Sequence, residues 1–184
     1  CKYHKSNCKS ISVRAMSAKA LSISKYASLS ATPVSLKQLI QAGSQKPNHF
    51  TNHTLQHELR VRIAHQIKRL EAIPEVRPIN QLLRLHRDTF DSLDFSNSNS
   101  TDHTKVLFQH LTSLHERHST NLETIMEGLM LLRDERNKVM PTVENFLQVN
   151  IGFQVLCSQF INSAKEYIDN PSLSSKTEES GLVG

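Results

Sequence analysis

Tryptophan is absent from the 184 residues, and glycine is scarce at five. A turn-rich β fold draws on both aromatic residues and glycine, while leucine-rich runs recur here, so packed helices are favoured. Acid is missing from one end of the chain. Residues 1–57 hold eight Lys/Arg and no Asp or Glu, and Glu58 is the first carboxylate. From Glu58 onward, fourteen basic residues face seventeen acidic ones, so the net +5 belongs to the leader and gives no reason to expect nucleic acid as a partner. Only three cysteines occur, Cys1, Cys8 and Cys157, and none stands in a CxxC or Cys/His spacing. That argues against a disulfide framework and a zinc knuckle, leaving Cys157 as a buried free thiol. No apolar run approaches the roughly 18–20 residues that a membrane span needs, so no membrane insertion is expected.

What is present divides into three parts. Residues 1–27, Ser-rich, basic and free of acid, have the composition of a mitochondrial presequence, with a simple basic arm as the alternative. We therefore expect a disordered, transit-like leader over 1–32, a helical bundle over 33–169, and a linker over 170–184. The chain starts at Cys1 rather than Met, and the reading is of a fragment of a longer protein.

Helical periodicity dominates the middle. Pro33 and Gly43 bracket a short helix over 33–42. Leu55, Leu59, Ile63, Ile67 and Leu70 form one apolar seam, with Arg60, Arg62, Gln66 and Lys68 largely off it, and Pro74 ends that helix. A helix over 79–93 aligns Leu82, Leu83, His86, Phe90 and Leu93. Residues 95–101 read as a solvent-facing linker. A single long helix over 102–136 carries Leu107, Leu111, Leu114, His118, Leu122, Ile125, Met126, Leu129 and Leu132 on one stripe. Pro141 then restarts the chain at an N1 position. A last helix to about Ile168 follows, with Val143, Phe146, Leu147, Ile151, Val155, Leu156, Phe160, Ile161 and Ala164 inward. The fold class is all-α: an antiparallel four-helix bundle with an extra short N-terminal helix and disordered tails.

The wording of the 55–74 helix carries more than its periodicity. Glu58-Leu59-x-Val61-Arg62-Ile63-Ala64, then Ile67-Lys68 and Leu70 to Pro74, resembles a segment of the mitochondrial 2-oxoacid dehydrogenase kinases. These are the pyruvate and branched-chain enzymes. Ser35-Leu36-Lys37-Gln38 with Gly43-Ser44, Phe90-x-x-Leu93, Arg117-His118 with Glu127-Gly128-Leu129, Ile151-Gly152-Phe153 and Leu182-Val183-Gly184 follow in the family's order. The resemblance runs from about Pro33 to the C-terminus and implies the N-terminal domain of such a kinase.

By that resemblance, His118 matches a histidine that helps to orient a catalytic acid, an auxiliary role. Thr120 departs from the family, which usually has Asp there. The family's 2-oxoacid pocket maps onto His86, Thr89, His115, Asn150 and Gln154, where neutral or titratable groups replace arginines. Weak response to pyruvate-like acids is the expectation. Any residual binding is expected to strengthen as pH falls from about 8 to 6, through protonation of His86 and His115. Read from the residues alone, a lone stripe histidine such as His118 is more simply a hydrogen-bonded core residue.

No DxGxG, GxGxG or P-loop motif occurs, and no His/Cys/acid set has metal-ligand spacing. We expect no cofactor and no metal in this chain, with ATP and Mg²⁺ confined to a separate kinase domain. The implied partners are the lipoyl domain of the dihydrolipoyl acyltransferase core and, for the full kinase, a serine on the decarboxylase α subunit. The full kinase is expected to be a homodimer in the mitochondrial matrix. The competing reading is a stand-alone bundle, an adaptor or a histidine phosphotransfer module with His118 as acceptor. Asn121-Leu122 stand where such modules usually carry Lys-Gly.

Overall fold

The computed structural model describes residues 19–33, 49–94 and 103–169, and everything regular among them is helical. Helical residues 19–27 make α1. Then come α2 (His49–Glu71), α3 (Arg77–Ser92), α4 (His103–Arg117), α5 (Asn121–Leu131), a 3₁₀ turn at Arg133–Glu135, and α6 (Arg136–Asp169). The helix expected over 33–42, the linker 95–101 and the tail 170–184 fall wholly or almost wholly outside the described residues. No described helix is long and apolar enough to cross a membrane.

The α2 seam forms as its spacing requires: Leu59, Ile63, Ile67 and Leu70 are all buried. The seam meets two apolar clusters. The first gathers Leu59, Ile63 and Ile67 with Phe90, Leu93, Leu107, Leu111, Leu114, Phe153 and Cys157. The second gathers Leu70, Ile73, Ile79 and Leu82 with Ile125, Leu129, Val139, Val143 and Phe146. Each helix is thus traversed in turn. α2 passes from the first cluster into the second, α3 returns, α4 and α5 pass across again, and α6 returns. Gly128 is needed where α5 meets α3, since a Cβ there would stand 2.7 Å from Ile79 Cδ1.

Four expectations need correction. The helix over 102–136 is broken at residues 118–120. There the Asn121 N–H bonds the His118 carbonyl, three residues back, and the Ser119 hydroxyl takes the Glu116 carbonyl. Such polar side chains compete with the helical ladder and favour turns. Pro141 does not restart the chain but lies inside α6, one turn beyond its start. Its missing N–H removes a single bond near the helix end, where the loss is smallest.

The inward stripes also differ. Leu122 is 53% exposed and Ile151 62%, while their neighbours Asn121 and Phe153 are fully buried and Asn150 is half-buried. Gln66, placed off the α2 seam, is fully buried as well.

The fourth correction concerns the leader. Residues 19–27 are ordered against the bundle. Ile23 is buried in the first cluster, the Tyr26 ring meets Phe90 edge-on at 5.4 Å, and the Arg60 guanidinium lies 4.5 Å over the Tyr26 ring. Ile23, Tyr26 and Ala27 sit three and four apart, an apolar face that the basic composition of the region obscured.

The chain leaving α1 is strapped along α2. His65 Nε2 donates to the Leu29 carbonyl at 2.8 Å, the Thr32 N–H bonds the Glu58 carboxylate at 3.0 Å, and Arg62 donates to the Thr32 carbonyl at 2.8 Å. Arg62 and Glu58 pair at 2.9 Å. The Arg62 guanidinium in turn rests against Gly152 of α6, in space that a Cβ would occupy.

Candidate functional site

Between the two apolar clusters lies a polar layer built from the second half of the bundle and α3. His86 and Thr89 come from α3, His118 from the turn between α4 and α5, Asn121 from the first position of α5, and Asn150 from α6. All but Asn150 are fully buried. Buried polar groups are tolerated only when bonded, so their partners define the chemistry.

The bonds run in one direction. The Thr89 hydroxyl donates to the Leu85 carbonyl at 2.9 Å, and a carbonyl can only accept. The Thr89 oxygen therefore accepts from His118 Nε2–H, 2.8 Å away. The opposite nitrogen, His118 Nδ1, accepts from Asn121 Nδ2 at 2.9 Å, and the second hydrogen of that amide goes to Asn150 Oδ1 at 3.0 Å. One tautomer of a neutral imidazole satisfies every contact. Burial, with smaller contributions from His86, Arg117 and His115, pushes His118 down to about 2, which keeps it neutral.

His86 stands beside it, ring edge to ring face, with centroids 4.7 Å apart. Its Nδ1–H donates to the Leu82 carbonyl at 2.8 Å, so its Nε2 presents a bare lone pair. Burial lowers His86 to about 4 despite that bond. The expected rise in acid binding between pH 8 and 6 cannot come from this residue, which stays neutral throughout that range. Phe146 and Phe153 enclose the two rings, at 5.5 Å from His86 and 5.1 Å from His118.

Of the residues singled out in the sequence, His86, Thr89, His118 and Asn150 are brought together. His115 on α4 and Gln154, one turn beyond Asn150 on α6, are not on the hydrogen-bonded chain. His115 Nδ1 and Gln154 Oε1 are each buried without a hydrogen-bond partner. Asn121 was missed, although it is the link between His118 and Asn150. The signal was its place three residues after His118, on the same helical face, and the apolar Leu122 beside it drew the stripe instead. Gln66 was missed for the same reason.

The remaining free valences of the layer are mostly acceptors. His86 Nε2 and Asn121 Oδ1 lack partners, and both are acceptors. No guanidinium or ammonium group belongs to this set. A carboxylate entering here would meet lone pairs rather than a cationic fork. The layer can hold a register and fix a ring; as arranged, it cannot neutralise an acid. Nor is His118 open to phosphorylation in this state, with one nitrogen protonated and bonded and the other accepting.

Neither a curated protein nor a solved structure matches this chain. One family model does, that of mitochondrial branched-chain alpha-ketoacid dehydrogenase kinase, over residues 33–184. The match takes in α2 to α6 and the whole polar layer, so the chain belongs to this kinase family and contains its N-terminal domain.

Proposed function

We propose that this chain is the docking and regulatory bundle of a mitochondrial matrix protein-serine kinase that phosphorylates and inactivates a 2-oxoacid dehydrogenase complex. The carrying observation is the family match over residues 33–184, which spans the complete run of helices from α2 to α6. In this reading the bundle binds the lipoyl domain of the dihydrolipoyl acyltransferase core. A separate domain supplies the ATP and Mg²⁺ site, and the decarboxylase α subunit provides the target serine. The working kinase is a homodimer. His118 is a positioning residue: neutral and held at both nitrogens, it fixes the turn between α4 and α5. The same two bonds count against the phosphotransfer alternative, which needs an accessible imidazole nitrogen.

Pyruvate-like acids are weak effectors of this bundle. His86, Thr89 and Asn150 offer a carboxylate no fixed positive charge, and burying an anion without one costs several kcal/mol, about 3–5 by analogy with a broken buried ion pair. Docking is tested by calorimetric titration of the 184-residue chain with a lipoyl domain in its lipoylated and unlipoylated forms. Binding to the lipoylated form alone is the expected result. Equal binding of both forms, or of neither, overturns the docking role.

A further inference from the structure

The buried layer is rich in lone pairs, whereas a groove on the outside of the same bundle offers chiefly donors. It lies between the C-terminal half of α2 and the first turns of α6, with a volume of about 420 Å³. His65, Lys68 and Arg69 line one side and Thr142 and Asn145 the other, closed by two alanines. No carboxylate lines it.

Arg69 is the distinctive member. Its guanidinium is partly desolvated, which lowers its pKa, and burial is the only cause; no acid among the described residues compensates. An unpaired, half-buried cation is costly unless an anion joins it. Its neighbours differ from it in being engaged. Lys68 pairs with Glu71 at 2.9 Å, and His65 Nε2–H is held by the Leu29 carbonyl. The free positive charge of the groove is therefore Arg69, flanked across the groove by a hydroxyl and a carboxamide.

We propose that this groove is a binding site for a small oxyanion, a carboxylate or a phosphate, received by Arg69 with Asn145 and Thr142. A planar guanidinium grips two oxygens of either group, and the α6 side chains supply further donors to a third. The buried layer and the groove have opposite polarity, so a small acid that acts on this bundle binds at the surface of α2 and α6 and not among His86, His118 and Asn150. The proposal goes beyond the docking role and does not depend on it.

The test is a two-dimensional NMR titration of the 184-residue chain at pH 7 and constant ionic strength, with sodium phosphate and separately with sodium pyruvate. Sodium chloride serves as the blank, because unspecific surface charge is screened alike by all three. Saturable shifts at the Arg69 side chain and the Asn145 amide are expected with at least one of the two anions, and which anion saturates identifies the source. Arg69→Gln should weaken binding by about tenfold or more, the range for a lost charged hydrogen bond. Asn145→Asp, which sets a carboxylate on an exposed position, should do the same while leaving the melting temperature unchanged. Shifts that never saturate, an affinity untouched by Arg69→Gln, or saturation centred on His118 and Asn150 would each overturn the proposal. Lipoyl-domain binding, measured on the same variants, separates this result from the docking role: loss of either leaves the other standing.

Discussion

The two apolar clusters do the same work with different edges. The second is closed by neighbours in sequence: a short stretch carries the chain from α2 to α3, and the 3₁₀ turn at Arg133–Glu135 joins α5 to α6. The first borrows α1, whose Ile23 and Tyr26 cover Phe90 and are held down by the strap to Glu58, Arg62 and His65. One half is local and the other depends on a distant segment. Between them the polar layer replaces dispersion with directed bonds. An apolar seam can slide by a turn at modest cost, but a hydroxyl–imidazole–amide–amide chain fits only one register. The comparison teaches that the halves supply bulk stability and the layer supplies alignment.

Truncating the first cluster should give the largest effect. Leu111 is fully buried there, and Leu111→Ala should lower stability by about 2–5 kcal/mol. A urea melt reads this directly, and a loss under about 1 kcal/mol would mean that the half closed by α1 collapses around the gap.

Acid should attack the layer next. His86 and His118 have folded-state pKa values lowered to about 4 and about 2, so the unfolded chain binds more protons below pH 6.5. Stability from these two residues is complete above their unfolded pKa, about 6.5, and is lost as pH falls from there through 4. Each should account for about 2 kcal/mol by pH 5. Denaturant melts at pH 7 and 5 measure the sum, and His118→Gln should remove about half of the difference. A pH-independent midpoint would show that the layer hydrates before the clusters melt.

The smallest effect is expected at Leu122. With 53% of its surface exposed, Leu122→Ala should cost less than about 1 kcal/mol, against the larger loss at Leu111. Equal losses at the two positions would place Leu122 in the core and the turn at 118–120 wrongly.

Leu122 also marks where the sequence stops being legible. Residues whose burial follows from apolar period alone were readable: Leu59, Ile63, Ile67 and Leu70 on α2, and Leu107, Leu111 and Leu114 on α4. His118 and His86 were readable by pattern and by family resemblance together, and Thr89 by the resemblance alone. Asn121 and Gln66 were not, because a period built on hydrophobicity rewards the apolar neighbour over the polar residue that faces inward. α1 was hidden by composition. Its lysines and serines resemble an unstructured leader, and only three-dimensional contact shows that Ile23 and Tyr26 have somewhere to go. Pro141 misled because it sits where a proline may either begin a helix or be carried near its end.

Gly152 has a consequence that reaches across the molecule. It makes room for the Arg62 guanidinium, and Arg62 holds the Thr32 carbonyl. Even a methyl group added in α6 would therefore be felt at residue 32, near the opposite end of the sequence, by pushing out the hand that grips the strap. A genetic screen for second-site suppressors of Gly152→Ala should return shorter side chains at position 62, a pairing that neither helix, read alone, would suggest.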